Sequence, residues 1–133
     1  MSYDRAPEPG VGFFAGRHVL AEFDGVDPLL LNDLGFLREA LESSLRDAGA
    51  TVCDVVAKQF EPQGVTVLAL LSESHASIHT YPEIGSMFVD IFTCGETADP
   101  ELAAALLRDR LGALESRINT VHRGHPVPSE TAR

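Results

Sequence analysis

Ser72-Glu73-Ser74-His75-Ala76-Ser77-Ile78-His79-Thr80-Tyr81-Pro82-Glu83, followed by Phe92-Thr93-Cys94-Gly95, decides how the rest of the chain is read. It packs serines, carboxylates, two histidines and a thiol into a short span, and such a density of nucleophiles and proton carriers points to chemistry. Apolar and branched residues run through it and flank it on both sides. Residues 65–71, 75–80 and 86–92 therefore read as strands, with a turn at Tyr81-Pro82-Glu83-Ile84-Gly85. The chemistry sits in a sheet.

Working outward, residues 51–60 form a further strand, joined to residues 65–71 through a hairpin at Glu61-Pro62-Gln63-Gly64. In residues 17–23, His18, Leu20 and Glu22 alternate against Val19, Ala21 and Phe23, the period of a half-buried strand. Leu30, Leu34, Leu37, Leu41 and Leu45 recur at three- and four-residue steps, which predicts one amphipathic helix over 27–48, closed by Gly49. Asp99 caps a second helix with Pro100 at its first position, and Ala103, Leu107, Leu111 and Leu114 mark its buried stripe. Residues 117–122 read as a last strand. Residues 1–14 read as a loose arm, and the tail from Arg123 onward as frayed. The order strand, helix, four strands, helix, strand predicts a single α+β domain over 1–133. It is a two-layer sandwich of a mainly antiparallel sheet with helices on one face.

The 133 residues suffice for one core, and 44% apolar with 23% charged residues is ordinary for a globular chain. Twenty acidic against ten basic residues give a net charge of -10, which argues against a nucleic-acid partner. No apolar run approaches the roughly 18 residues that span a bilayer. The first dozen residues lack the pattern of a signal peptide, so a cytoplasmic location is the expectation. Cys53 lies in an apolar strand pattern and reads as a buried small hydrophobe. Cys94, between Thr93 and Gly95, reads as a reagent.

Three chemistries compete for the motif. A metal set of His75, His79, Glu83 and Cys94 has acceptable ligand types, but Pro82 breaks the strand before Glu83 and no paired-cysteine signature is present, so no metal is expected. A serine hydrolase lacks its nucleophile elbow, since Ser74 is flanked by Glu73 and His75. The third reading is self-processing. The Ser74 hydroxyl attacks the Glu73 carbonyl, loss of the Ser74 α-proton expels the acyl group, and hydrolysis of the resulting dehydroalanine leaves a pyruvoyl group. That ketone forms a Schiff base with an amino acid and receives the electrons left by departing carbon dioxide. A histidine suits the base role and a thiol the later proton donor.

Residues 71–83 and 90–95 resemble the processing and catalytic motifs of the short prokaryotic S-adenosylmethionine decarboxylases. The likeness continues in Gly16-Arg17-His18, Ala21-Glu22-Phe23 and Phe60-Glu61-Pro62-Gln63-Gly64-Val65. The resemblance implies cleavage between Glu73 and Ser74 into a β chain, 1–73, and an α chain, 74–133, with the pyruvoyl group derived from Ser74. It implies that His79 takes the α-proton during processing, with Thr66 in support, and that Cys94 donates a proton in decarboxylation. It also implies that Glu83 holds the ribose hydroxyls and Phe60 lies against the purine of S-adenosylmethionine. The resemblance further implies a homodimer of processed protomers with a four-layer body, and His75 belongs to the motif without an assigned role.

Three departures from the family pattern stand out: Thr66 for a serine, Tyr81 for a tryptophan, and Ser86-Met87-Phe88 for a segment usually Tyr-Ala-Ala. The last could narrow a nucleoside site if it faced the pocket. Ornithine or arginine thus stands as an alternative substrate on the same chemistry, and an unprocessed binding homologue as a third possibility.

Overall fold

The computed structural model describes residues 13–126 other than Glu96, with side chains over 15–95 and 97–124. Of the arm expected at 1–14 and the tail expected from Arg123, residues 1–12 and 127–133 lie outside the described residues, whereas 13–14 and 123–126 are strand.

Six strands form one sheet: β1 (Phe13–Asp24), β2 (Val52–Gln59), β3 (Val65–Leu71), β4 (Ser74–Tyr81), β5 (Ser86–Cys94) and β6 (Glu115–Pro126). They run in the order β2-β3-β4-β5-β1-β6, and every neighbouring pair is antiparallel. The α+β sandwich read from the sequence is the observed architecture. The end strands are longer than expected, because Phe13 pairs with Pro126 and Arg123 with Gly16 at the rim of the sheet.

Helices α2 (Leu34–Asp47) and α3 (Pro100–Leu111) cover one face, with the short α1 (Pro28–Leu31) at its edge. Leu37, Leu41 and Leu45 of α2 and Ala103, Leu107 and Leu111 of α3 are buried against Val19, Ala21, Phe23, Val67, Ala69, Ile78, Val89 and Ile91 of the sheet. Each buried leucine contributes about 1.5–3 kcal/mol relative to exposure. No helix among the described residues is long and apolar enough to cross a membrane. Among the described residues the opposite face carries no layer, and Leu20, Val56, Leu68, Leu70, Phe88 and Val121 stand exposed on it.

Three expectations are corrected. The helix over 27–48 is broken at Asn32-Asp33: Asp33 caps α2 by accepting from the Phe36 N–H at 3.0 Å. Asn32 Oδ1 accepts from the Gly64 N–H and from Gln59 Nε2, both at 2.9 Å, which ties the break to the β2–β3 loop. Cys53 is exposed, because a bulge between Val52 and Asp54 shifts the alternation of β2. Leu114 is 83% exposed, because Gly112 at φ 66° ends α3 before the stripe reaches it.

Candidate active site

Strands β3 and β4 are joined by a two-residue turn, Ser72-Glu73, closed by the Leu71–Ser74 pair. Glu73 has φ 66°, and among the described residues no other non-glycine has a positive φ. A left-handed side-chain-bearing residue costs about 1–2 kcal/mol, so the backbone is strained immediately before Ser74. The Ser72 N–H donates to the Thr51 carbonyl at 3.1 Å and anchors the turn to the start of β2. The Ser74 hydroxyl donates to the Ser72 carbonyl at 3.3 Å.

Ser74 and Cys94 line the same hollow, together with Gly49, Thr51, Glu73 and Thr97. Its wall is tight: a Cβ on Gly49, at φ 91°, would lie 2.2 Å from the Thr97 carbonyl oxygen. Cys94 ends β5 and Gly95 turns the chain away at φ 89°, leaving the thiol partly exposed at the rim.

A second group forms at the other end of β4. Thr66 lies opposite His79 across the β3–β4 pair, and its hydroxyl is hydrogen-bonded to His79 Nδ1 at 3.0 Å. Phe60, Tyr81 and Glu83 share a hollow with them. The buried Thr80 donates its hydroxyl to the Leu31 carbonyl at 2.6 Å and accepts from the Val65 N–H at 2.9 Å, which fixes this end of the strand.

Of the sequence-derived residues, then, the structure brings Ser74, Glu73 and Cys94 together, and separately Phe60, Thr66, His79 and Glu83. It does not bring His79 to Ser74, which stands five residues away on the same strand, about 16 Å at the usual rise. Of the weighed metal set, Cys94 lies in the first group, His79 and Glu83 in the second and His75 in neither, so the four do not converge. In the segment Ser86-Met87-Phe88, Met87 is fully buried in the core, and the Ser86 hydroxyl donates to Asp24 Oδ1 at 2.6 Å. Only Phe88 reaches the open face, with its ring centroid 5.2 Å from that of Tyr81.

A third group had no role in the sequence reading. Asp90 Oδ2 accepts from His18 Nε2 at 2.8 Å and from His75 Nε2 at 3.2 Å, and the Ser77 hydroxyl donates to Asp90 Oδ1. Arg123 Nη1 donates to His18 Nδ1 at 3.2 Å, so the His18 proton sits on Nε2, toward the carboxylate. Partial burial pushes the Asp90 carboxyl up, but the hydrogen bonds from Ser77, His18 and His75 with the His75 charge outweigh it, and its pKa lies below the ordinary 3.8. Strand alternation puts these residues on one face, yet their convergence depends on cross-strand register that only the folded sheet supplies.

Ser74 behind the strained turn and Cys94 in the same hollow are thus the nucleophile and thiol that one end of this half-covered α+β sheet brings together. Residues 17–124 match the family model described as S-adenosylmethionine decarboxylase. Over 117 residues the chain is 46% identical to the S-adenosylmethionine decarboxylase proenzyme of Prochlorococcus marinus (strain MIT 9313), an overlap of 88% of this chain and 94% of that protein. It is 57% identical over 88 residues to the proenzyme of the same name from Brevibacillus brevis, 66% of each chain. The crystal structure of the adenosylmethionine decarboxylase from Aquifex aeolicus VF5 superposes with a TM-score of 0.75 at 32% identity, covering 90% of this chain and 97% of that one. The chain belongs to the S-adenosylmethionine decarboxylase family.

Proposed function

We propose that this protein cleaves itself between Glu73 and Ser74 and then decarboxylates S-adenosylmethionine, producing the aminopropyl donor for spermidine-type polyamines. The observation that carries this reading is the left-handed Glu73 directly before Ser74, in a hollow that also holds Cys94. Attack of Ser74 Oγ on the Glu73 carbonyl carbon forms an ester and frees the Ser74 amine, and it releases the turn strain as the amide breaks. Removal of the Ser74 α-proton expels the Glu73 carboxylate. Water then replaces the nitrogen, which leaves as ammonia. The group so formed supplies a ketone that captures the substrate amine and accepts the electrons released with carbon dioxide. Cys94, in the same hollow, is placed to return a proton to the substrate carbon.

His79, the proposed base for the α-proton, is out of reach of Ser74 within one protomer. A second copy resolves this. A two-fold axis lying between two open sheet faces, across the strands, sets the Ser74 end of one protomer against the His79 end of its partner. The exposed Leu20, Val56, Leu68, Leu70, Phe88 and Val121 give that face the apolar character a stable dimer needs. In the assembled site Glu83 accepts the ribose hydroxyls and Phe60 stacks on the purine. The net charge of -10 favours a sulfonium substrate. Two unbridged cysteines suit a reducing cytoplasm. The family match and the burial of Met87 both favour S-adenosylmethionine over ornithine or arginine.

Mass spectrometry of the denatured protein tests the cleavage: two fragments are expected, 1–73 and 74–133, the second blocked and reactive toward carbonyl reagents. A single intact chain refutes it. Carbon dioxide release from S-adenosylmethionine, ornithine and arginine in parallel assigns the substrate. Mixing Ser74→Ala with His79→Ala protomers is expected to restore cleavage of the His79→Ala chain; failure to do so refutes the shared site.

A further inference from the structure

Ser74 is paired with β3 through Leu71, and its own pairing with β5 is missing, because the β4–β5 register begins at His75 opposite Phe92. While the chain is intact, the Ser72-Glu73 turn holds this end of β4. Once the Glu73–Ser74 bond is cut, that covalent closure is gone and residue 74 becomes a strand terminus, where fraying concentrates. His75 is then the first residue of the α chain gripped by both neighbouring strands.

Its side chain is gripped as well. The ring donates from Nε2 to Asp90 Oδ2 at 3.2 Å, on a carboxylate that His18 and Ser77 hold from other directions. Phe92 packs beside both imidazoles, with centroids 5.4 Å from His18 and 5.9 Å from His75, the two imidazoles themselves meet edge-on at 5.8 Å, and the Arg123 guanidinium caps the Phe92 ring at 4.8 Å. Four strands therefore meet at Asp90 and its partners, one residue from the reacting position.

We infer that Asp90 is a positioning residue of the cleaved enzyme: through the His75 imidazole it pins the new end of β4, so that the group at position 74 stays opposite Cys94. The inference rests on the self-cleavage proposed above. It separates two requirements: cleavage uses the intact turn, and turnover of the cut enzyme uses the anchor.

The test is kinetic. His75→Ala is expected to be cut into the same two fragments, with kcat lowered roughly 10- to 100-fold and KM changed less than about twofold. His75→Gln, whose Nε2 can still donate to Asp90, is expected to recover most of the loss. A His75→Ala enzyme that is cut and keeps kcat within about twofold overturns the inference, as does a glutamine variant as impaired as the alanine. If His75→Ala does not fold, amide hydrogen exchange in cut Asp90→Asn replaces it. Faster exchange at residues 75–77 than in the parent, with 78–80 unchanged, supports the anchor; equal exchange at 75–77 overturns it. A parent chain that is never cut refutes the self-cleavage instead, so the two failures are told apart.

Discussion

Thr66 and His79 face each other across the β3–β4 pair, their hydroxyl and Nδ1 joined at 3.0 Å. This contact orients the imidazole and selects which nitrogen is free to work. Thr66→Val is expected to slow self-cleavage roughly 3- to 10-fold, the equivalent of one net hydrogen bond. Thr66→Ser should cleave near the parent rate. Fragment appearance followed by mass measures both.

Glu73 holds a backbone conformation that glycine adopts without strain. Glu73→Gly removes the tension upstream of Ser74 while leaving the turn able to form. Cleavage is expected to slow by about tenfold, matching the strain no longer released. Unchanged cleavage would show that the turn conformation does not drive the reaction.

Cys94 lies in the Ser74 hollow but takes no part in the proposed cleavage. Cys94→Ala should therefore be cut normally and lose roughly 100-fold in carbon dioxide release, the usual contribution of a positioned proton donor. Equal loss in both steps would assign the thiol to processing as well.

Asp90 links pH to stability. Its folded pKa lies below the ordinary value of 3.8. The stability it contributes is thus complete above the unfolded-state value and disappears as pH falls through the folded one. Asp90→Asn is expected to lower the melting temperature at neutral pH. That gap should narrow below about pH 4, and melting curves from pH 7 downward read it directly.

Much of this architecture is legible in the sequence, because period-two alternation in residues such as Val19, Ala21 and Phe23, and the leucine stripe of α2, depend only on local chain geometry. The break at Asn32 is not local: it is held by Gly64 and Gln59, far along the chain. Leu114 keeps the helical period but falls beyond Gly112, and a one-residue bulge turns Cys53 outward. At the site, a spacing of five residues from Ser74 to His79 reads as proximity, whereas an extended strand turns it into separation. The meeting of His18, His75 and Asp90 depends on a diagonal placement relative to Phe92, their shared neighbour, which no spacing rule along a single strand contains.

If the chain is cut after Glu73 as proposed, the strand order has a consequence. Fragment 1–73 owns β1, β2 and β3, and fragment 74–133 owns β4, β5 and β6, yet β1 is inserted between β5 and β6. The two pieces are interlaced, so neither can leave without tearing the sheet along several ladders at once. A denatured mature enzyme would have to reassemble from separate polypeptides, and its recovery would depend on concentration, whereas the uncut precursor needs only to find itself.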